Sequence, residues 1–83
     1  MAVLVLSKRA EPDLRGLDRE TARRVFDAME RFVASGHGDI RKLKGTTNEF
    51  RLRVGDWRIR LERRPEGGYN VLRVLNRRDA NRD

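Results

Sequence analysis

Hydrophobic and polar residues change their spacing several times along this chain, and each change marks an element. The run AVLVL at residues 2–6 is apolar throughout and rich in valine and leucine, which predicts a buried strand. Ser7 follows as a cap for a helix running to about Gly16. Pro12 then falls one turn inside and lacks the N–H such a helix needs, so this helix should be short or begin irregularly. Next, Ala22, Val25, Phe26, Met29, Phe32 and Val33 form the single stripe of an amphipathic helix. Asp18 is its expected N-cap, with Glu20 near the positive end of the helix dipole, and Gly36 and Gly38 end it. The methionine and phenylalanines of this stripe are expected in the core.

The spacing then drops to two. Phe50, Leu52 and Val54 alternate with Arg51 and Arg53, and the pair Gly55–Asp56 predicts a tight turn. Trp57, Ile59 and Leu61 alternate with Arg58, Arg60 and Glu62, and PEGG at 65–68 signals a second turn. YNVLRVL at 69–75 is apolar on both parities, as in an interior strand covered on both faces. The predicted order is β-α-α-β-β-β over one domain, residues 1–83. This is an α+β fold whose antiparallel meander carries two N-terminal helices on one face. At 83 residues the core must be small, and a stabilising partner fits that size.

Alternation sorts the hairpin side chains by face. Phe50, Leu52, Val54, Trp57, Ile59 and Leu61 point to the helix, so Arg51, Arg53, Arg58 and Arg60 project from the other side. Four guanidinium groups on adjacent strands repel one another unless anions come between them; Glu49, Asp56 and Glu62 are the nearest internal partners in sequence.

Net charge supports that picture through its distribution. Residues 1–40 carry seven basic and seven acidic groups, whereas residues 41–83 carry 13 basic and six acidic ones, so the whole +7 lies in the C-terminal half. Such segregation implies a polyanion or an acidic partner there, because solubility alone does not require it. With no cysteine there is no disulfide framework and no thiolate metal site. No apolar run approaches the ~20 residues of a membrane span. The start has no basic region before its short apolar run, unlike a signal peptide. The expectation is a cytoplasmic protein with no membrane partner, cofactor or metal.

Arginine presents a planar donor fork suited to phosphate and stays protonated. A cluster of them can hold an RNA or DNA backbone, or stabilise the extra charge of a phosphorane when a neighbouring 2′-hydroxyl attacks. That cleavage needs a base and an acid, which are few here. His37, the only histidine, sits between two glycines and reads as an exposed loop residue. Tyr69 reads as packing. Lys42 and Lys44 read as phosphate contacts, although a lysine among cations can act as a base. Glu62 is a base or a charge partner.

The segments KLKGTTNEFRLRVGDWRIRLE and VLRVLNRRDANR, with the opening VLVLSKRAEPDLRGL, resemble the RelE/ParE superfamily of bacterial and archaeal toxin–antitoxin systems over essentially the whole chain. The resemblance implies the RelE-like microbial RNase fold and a type II toxin. Its RelE-like members cut mRNA in the ribosomal A site by 2′-hydroxyl attack, and its ParE-like members poison DNA gyrase. Carried over by position, Lys44 matches a basic residue before the strand. Arg51 and Arg53 match a pair that is lysine in the best-known RelE enzymes. Arg58 matches the arginine that stabilises the transition state, and Arg77 matches the arginine ending the last strand. The resemblance thus implies Arg51, Arg53, Arg58 and Arg77 as catalytic, with Lys42, Lys44, Arg60, Arg78 and Asn81 holding RNA phosphates.

Two features depart from the family, the lysine pair replaced by Arg51 and Arg53 and the ending of the chain. The family's ending reads H-R-R-D-A-Y-R, whereas residues 76–82 here read NRRDANR, so Asn76 and Asn81 replace a histidine and a tyrosine. An amide has no useful pKa, and arginine in place of lysine is a poor base. Three readings therefore stand: an mRNA endoribonuclease, a gyrase poison, and a family member that only binds. All three imply an acidic antitoxin that orders on binding, with a higher-order toxin–antitoxin oligomer as one form the complex can take.

Overall fold

The computed structural model describes residues 3–45 and 48–80. Along the chain run β1 (Leu4–Leu6), α1 (Ala10–Arg15), α2 (Arg19–Ser35), β2 (Asp39–Lys42), β3 (Glu49–Val54), β4 (Trp57–Arg63) and β5 (Tyr69–Asn76). The strands form one sheet in the order β1-β5-β4-β3-β2. The α+β class and the two helices are as expected, but the sheet is mixed. β2 to β5 form an antiparallel meander, and β1 joins its far side parallel to β5, with Leu4 opposite Tyr69 and Leu6 opposite Val71.

Local chemistry explains the helices. The Asp18 carboxylate accepts the Thr21 N–H at 2.7 Å, and that bond holds its pKa below the usual value. Gly36 closes α2 in the left-handed region at φ 77°, its N–H reaching the Phe32 carbonyl. Ser7 does reach α1, its hydroxyl accepting the Ala10 N–H at 3.0 Å. The helix begins late enough that Pro12 lies in its first turn, where a missing N–H costs no bond.

Val25, Met29 and Phe32 of α2 pack on Leu52, Ile59, Leu61, Val71 and Val74, and Ala10 of α1 completes the buried core. Phe26 departs from the expectation: it lies at the margin of the α2 stripe and is 44% exposed. The opening strand is not buried either. β1 is an edge strand, so one side of it faces solvent, and Val3, Val5 and Leu6 are all exposed. A fifth strand, β2, precedes the hairpin, and its single apolar residue, Ile40, gave no period to read.

β5 is interior, as its composition predicts, but a bulge accounts for part of its double-parity pattern. Arg60 faces Arg73 and Leu61 faces Val71, so Leu72 is the extra residue. The shift brings Val71 and Val74, three positions apart, onto the same buried face.

β1 covers only the first part of β5, and α1 takes over where it stops. The Ser7 N–H bonds the Val71 carbonyl and its hydroxyl donates to the Leu72 carbonyl. Asp13 then accepts the Val74 N–H at 2.9 Å and pairs with Arg73 at 2.8 Å. An otherwise orphaned strand edge is thereby satisfied by one carboxylate. Asp13→Ala should lower stability by about 2 kcal/mol in urea unfolding, the scale of a part-buried donor left without its charged acceptor. An unchanged midpoint would show that the edge finds another partner.

The turn before β5 is fixed by close approach. Gly68 sits at φ 80°, and a Cβ there would run into the Val3 carbonyl, the group that accepts the Tyr69 N–H at 2.8 Å. Gly68→Ala should cost at least ~1 kcal/mol and raise amide hydrogen exchange in β1 before it does so in β3 and β4. Uniform protection across the sheet would contradict this.

Candidate anion-binding cleft

The register of β2 to β5 sets the outer face of the sheet. Residues opposite one another share a face, so Asp39, Arg53, Arg58 and Leu75 form one row and Arg41, Arg51, Arg60 and Arg73 the next. A third row begins with Glu49 opposite Glu62 and Asn70. The hairpin alternation thus does what its sequence implies, and β2 and β5 extend it.

Two arginines of this face are compensated internally. Arg60 pairs with Glu49 at 2.8 Å, and Arg73 pairs with Asp13. Glu62 is occupied as an acceptor, taking the Asn70 amide at 3.0 Å while Arg64 donates to the same asparagine at 2.8 Å. The remaining four surround one open cleft of about 220 Å³ lined by Asp39, Arg41, Arg51, Arg53 and Arg58. Among the described residues no ion pair joins Arg41, Arg51 or Arg53. The Nε of Arg51 is buried and has no hydrogen-bond partner there. Arg58 is oriented by the hairpin turn, its Nη1 donating to the Gly55 carbonyl at 2.8 Å and the Trp57 carbonyl at 3.0 Å. Gly55 holds the first central position of that two-residue turn at φ 58°.

None of the other expected site residues that the structure describes lines this cleft. Arg60 is on the same face but engaged with Glu49. Lys42 is opposite Phe50 and so points to the other face; its neighbour Arg41 takes the cleft position. Lys44 is exposed in the turn after β2. Arg77 is exposed beyond β5, its N–H on the Asp56 carbonyl at 2.8 Å and its guanidinium 3.9 Å from the Asp56 carboxylate. Arg78 is exposed, and Asn81 lies outside the described residues. Asn76 acts locally. Its side chain accepts the Arg78 N–H at 3.2 Å, and its carbonyl accepts the Asp79 N–H at 2.8 Å, turning the chain out of β5. Tyr69 packs between Phe32 and Phe50, with ring centroids 5.1 and 6.1 Å away. His37 is exposed, in the loop after α2, and shares a second hollow with Asp39 and Arg53.

Sequence reasoning passed over Arg41 and Asp39. Their signal was the alternation D-I-R around Ile40, too short to stand out before the pairing with β3 was known. Among the described residues no group of three or more histidine or acidic side chains is placed to hold a metal ion, and no helix is long and apolar enough to cross a membrane.

An open cleft with four cationic forks and one carboxylate has the donor geometry that suits an oxyanion, and it is borne by a small, basic α+β domain. Comparison with known proteins gives the family. The model of the ParE toxin of type II toxin–antitoxin systems, parDE, matches residues 4–81, and the chain belongs to this family within the RelE/ParE superfamily. Its fold matches the solved RelB–RelE antitoxin–toxin complex of Methanococcus jannaschii, with a TM-score of 0.77 and 27% identity over 94% of this chain and 95% of that one. It also matches the RelE–RelB complex of Pyrococcus horikoshii OT3, with a TM-score of 0.73 and 22% identity over 92% and 94% of the two chains. No curated protein matches. The protein is therefore a toxin-family member of a type II system, with a fold close to RelE.

Asp39 is the one acidic group lining the cleft. Asp39→Asn should tighten binding of a short single-stranded oligoribonucleotide by about two- to fivefold, the range of an exposed charge contact, measured by fluorescence anisotropy. Weaker binding would mean that the carboxylate organises the cleft instead of opposing its ligand.

Proposed function

We propose that this toxin is a ribosome-dependent mRNA endoribonuclease whose arginine cleft holds the scissile phosphate. The observation that carries this reading is the set of four arginines around one cleft, with the buried Arg51 Nε lacking an acceptor. In the reaction a 2′-oxygen attacks the adjacent phosphorus, the bond to the 5′-oxygen breaks, and negative charge gathers on the equatorial oxygens. On this reading Arg51, Arg53 and Arg58 are the preorganised donors to that charge, and arginine stays protonated throughout. Similarity to RelE structures supports the RNase branch.

An acidic antitoxin belongs to the same reading. Both matched archaeal structures are antitoxin–toxin complexes. Here the +7 charge and the exposed Val3, Val5, Leu6 and Phe26 offer an acidic, partly apolar chain both kinds of contact.

The test is cleavage of mRNA on purified, programmed ribosomes. Cuts in the A-site codon are expected at stoichiometric protein, and Arg51→Ala should reduce the rate about 10²- to 10³-fold, as for loss of one transition-state donor. A wild-type protein that leaves mRNA intact overturns the reading. The ParE family match favours one alternative, poisoning of DNA gyrase. Trapped gyrase–DNA cleavage complexes together with intact mRNA would establish it instead.

A further inference from the structure

The outer face carries cations well beyond the cleft, and their order across the sheet gives a direction. Arg41, Arg51, Arg60 and Arg73 stand directly opposite one another, one per strand from β2 to β5. With neighbouring strands ~4.8 Å apart, the row spans about 14 Å. It ends at a separate hollow of about 390 Å³, where Lys8 and Arg9 from the β1–α1 connection meet Ser7, Arg60, Leu72 and Arg73. Lys8 is exposed, and among the described residues it has no acidic partner.

Charge decides which way a bound polyanion can leave the cleft. Along the strands, the positions after Arg51 and Arg60 are Glu49 and Glu62, which face each other and add no cation for a phosphate to meet. Across the strands, the row presents only guanidinium groups. Its middle is partly neutralised, since Arg60 pairs with Glu49 and Arg73 with Asp13. At the two ends stand the cleft, where Arg41, Arg51 and Arg53 have no ion pair among the described residues, and the hollow, where Lys8 is exposed.

We propose that the Lys8–Arg9 hollow is a second phosphate-binding site, and that a single RNA strand seated in the arginine cleft crosses β4 and β5 along the arginine row to reach it. The choice of RNA rests on the proposed function; the geometry itself requires a flexible polyanion longer than the row. Messenger and ribosomal RNA offer the same phosphates.

Salt-dependent binding tests this, because each phosphate contact to a single strand contributes ~0.7 to the slope of log K against log salt. For a single-stranded RNA decamer followed by anisotropy, Lys8→Ala should make the slope shallower by ~0.7, and Lys8→Ala with Arg9→Ala by ~1.4. A dinucleotide, too short to leave the cleft and followed by NMR titration, should bind these variants as it binds wild type. An unchanged decamer slope, at an unchanged melting temperature, overturns the second site. Equal weakening of the dinucleotide also overturns it, since the effect would then lie in the cleft.

Arg51→Ala with Arg53→Ala separates the two readings. It should weaken both ligands if the cleft binds phosphate. If it weakens neither while Lys8→Ala still flattens the decamer slope, the cleft reading fails and the hollow stands. A photocrosslinker at position 8 on programmed ribosomes identifies the source of the phosphate. A crosslink to messenger or to ribosomal RNA supports the site, and one to ribosomal protein alone overturns it.

Discussion

Leu52, Ile59 and Leu61 are fully buried under α2, and their burial determines where each arginine of the hairpin can go. On a pleated strand the residue beside a buried one must face the other way. A slip of one residue would bring Arg51, Arg53, Arg58 and Arg60 into the core and expose the aliphatic side chains. The cationic face is thus held in place by the hydrophobic one. The tight turn at Gly55–Asp56 keeps the two strands in step, so that arginine meets arginine across the pair.

That arrangement has a cost. Like charges directly opposite on neighbouring strands destabilise a sheet by a few tenths to about 1 kcal/mol per pair. The molecule offsets this unevenly. Glu49 reaches diagonally to Arg60, and Asp13 reaches from α1 to Arg73, so the half of the face toward β5 is largely neutral. The half toward β2 receives only Asp39, which lies opposite Arg53 without a close ion pair. Repulsion left in that half is what a bound anion would relieve, so on the proposed function folding leaves part of its electrostatic strain for the ligand to remove.

The sequence made the long helix, the hairpin and the division of faces legible, because each rests on a local period. Asp18 and Gly36 are read correctly for the same reason: caps are decided by residues a few positions apart. What escaped depends on pairing. β2 holds one apolar residue in four and becomes a strand only by docking on β3. Whether Arg41 or Lys42 joins the cleft is fixed by its register against Phe50 and Arg51. The apolar opening suggests a buried strand, yet strand order places it at an edge. Phe26 has the spacing of a core residue, but at the margin of the stripe it stays 44% exposed. At Asn76 the family pattern suggests a missing proton carrier, while the structure gives that asparagine a turn to close.

The parallel β1–β5 contact also governs when the molecule can be complete. The Ser7 hydroxyl meets the Leu72 carbonyl across 65 residues, and every other element of the fold lies between the two strands that this seam joins. Local pairs such as the β3–β4 hairpin close early, whereas a contact spanning nearly the whole chain waits for the rest. During synthesis β1 emerges first and has no strand to join until β5 has been made. The connection carrying Lys8 and Arg9 stays unanchored for the same interval. The domain is built first and last at the same seam, so a truncated chain lacking β5 would keep the arginine hairpin yet lose the strand that closes the sheet.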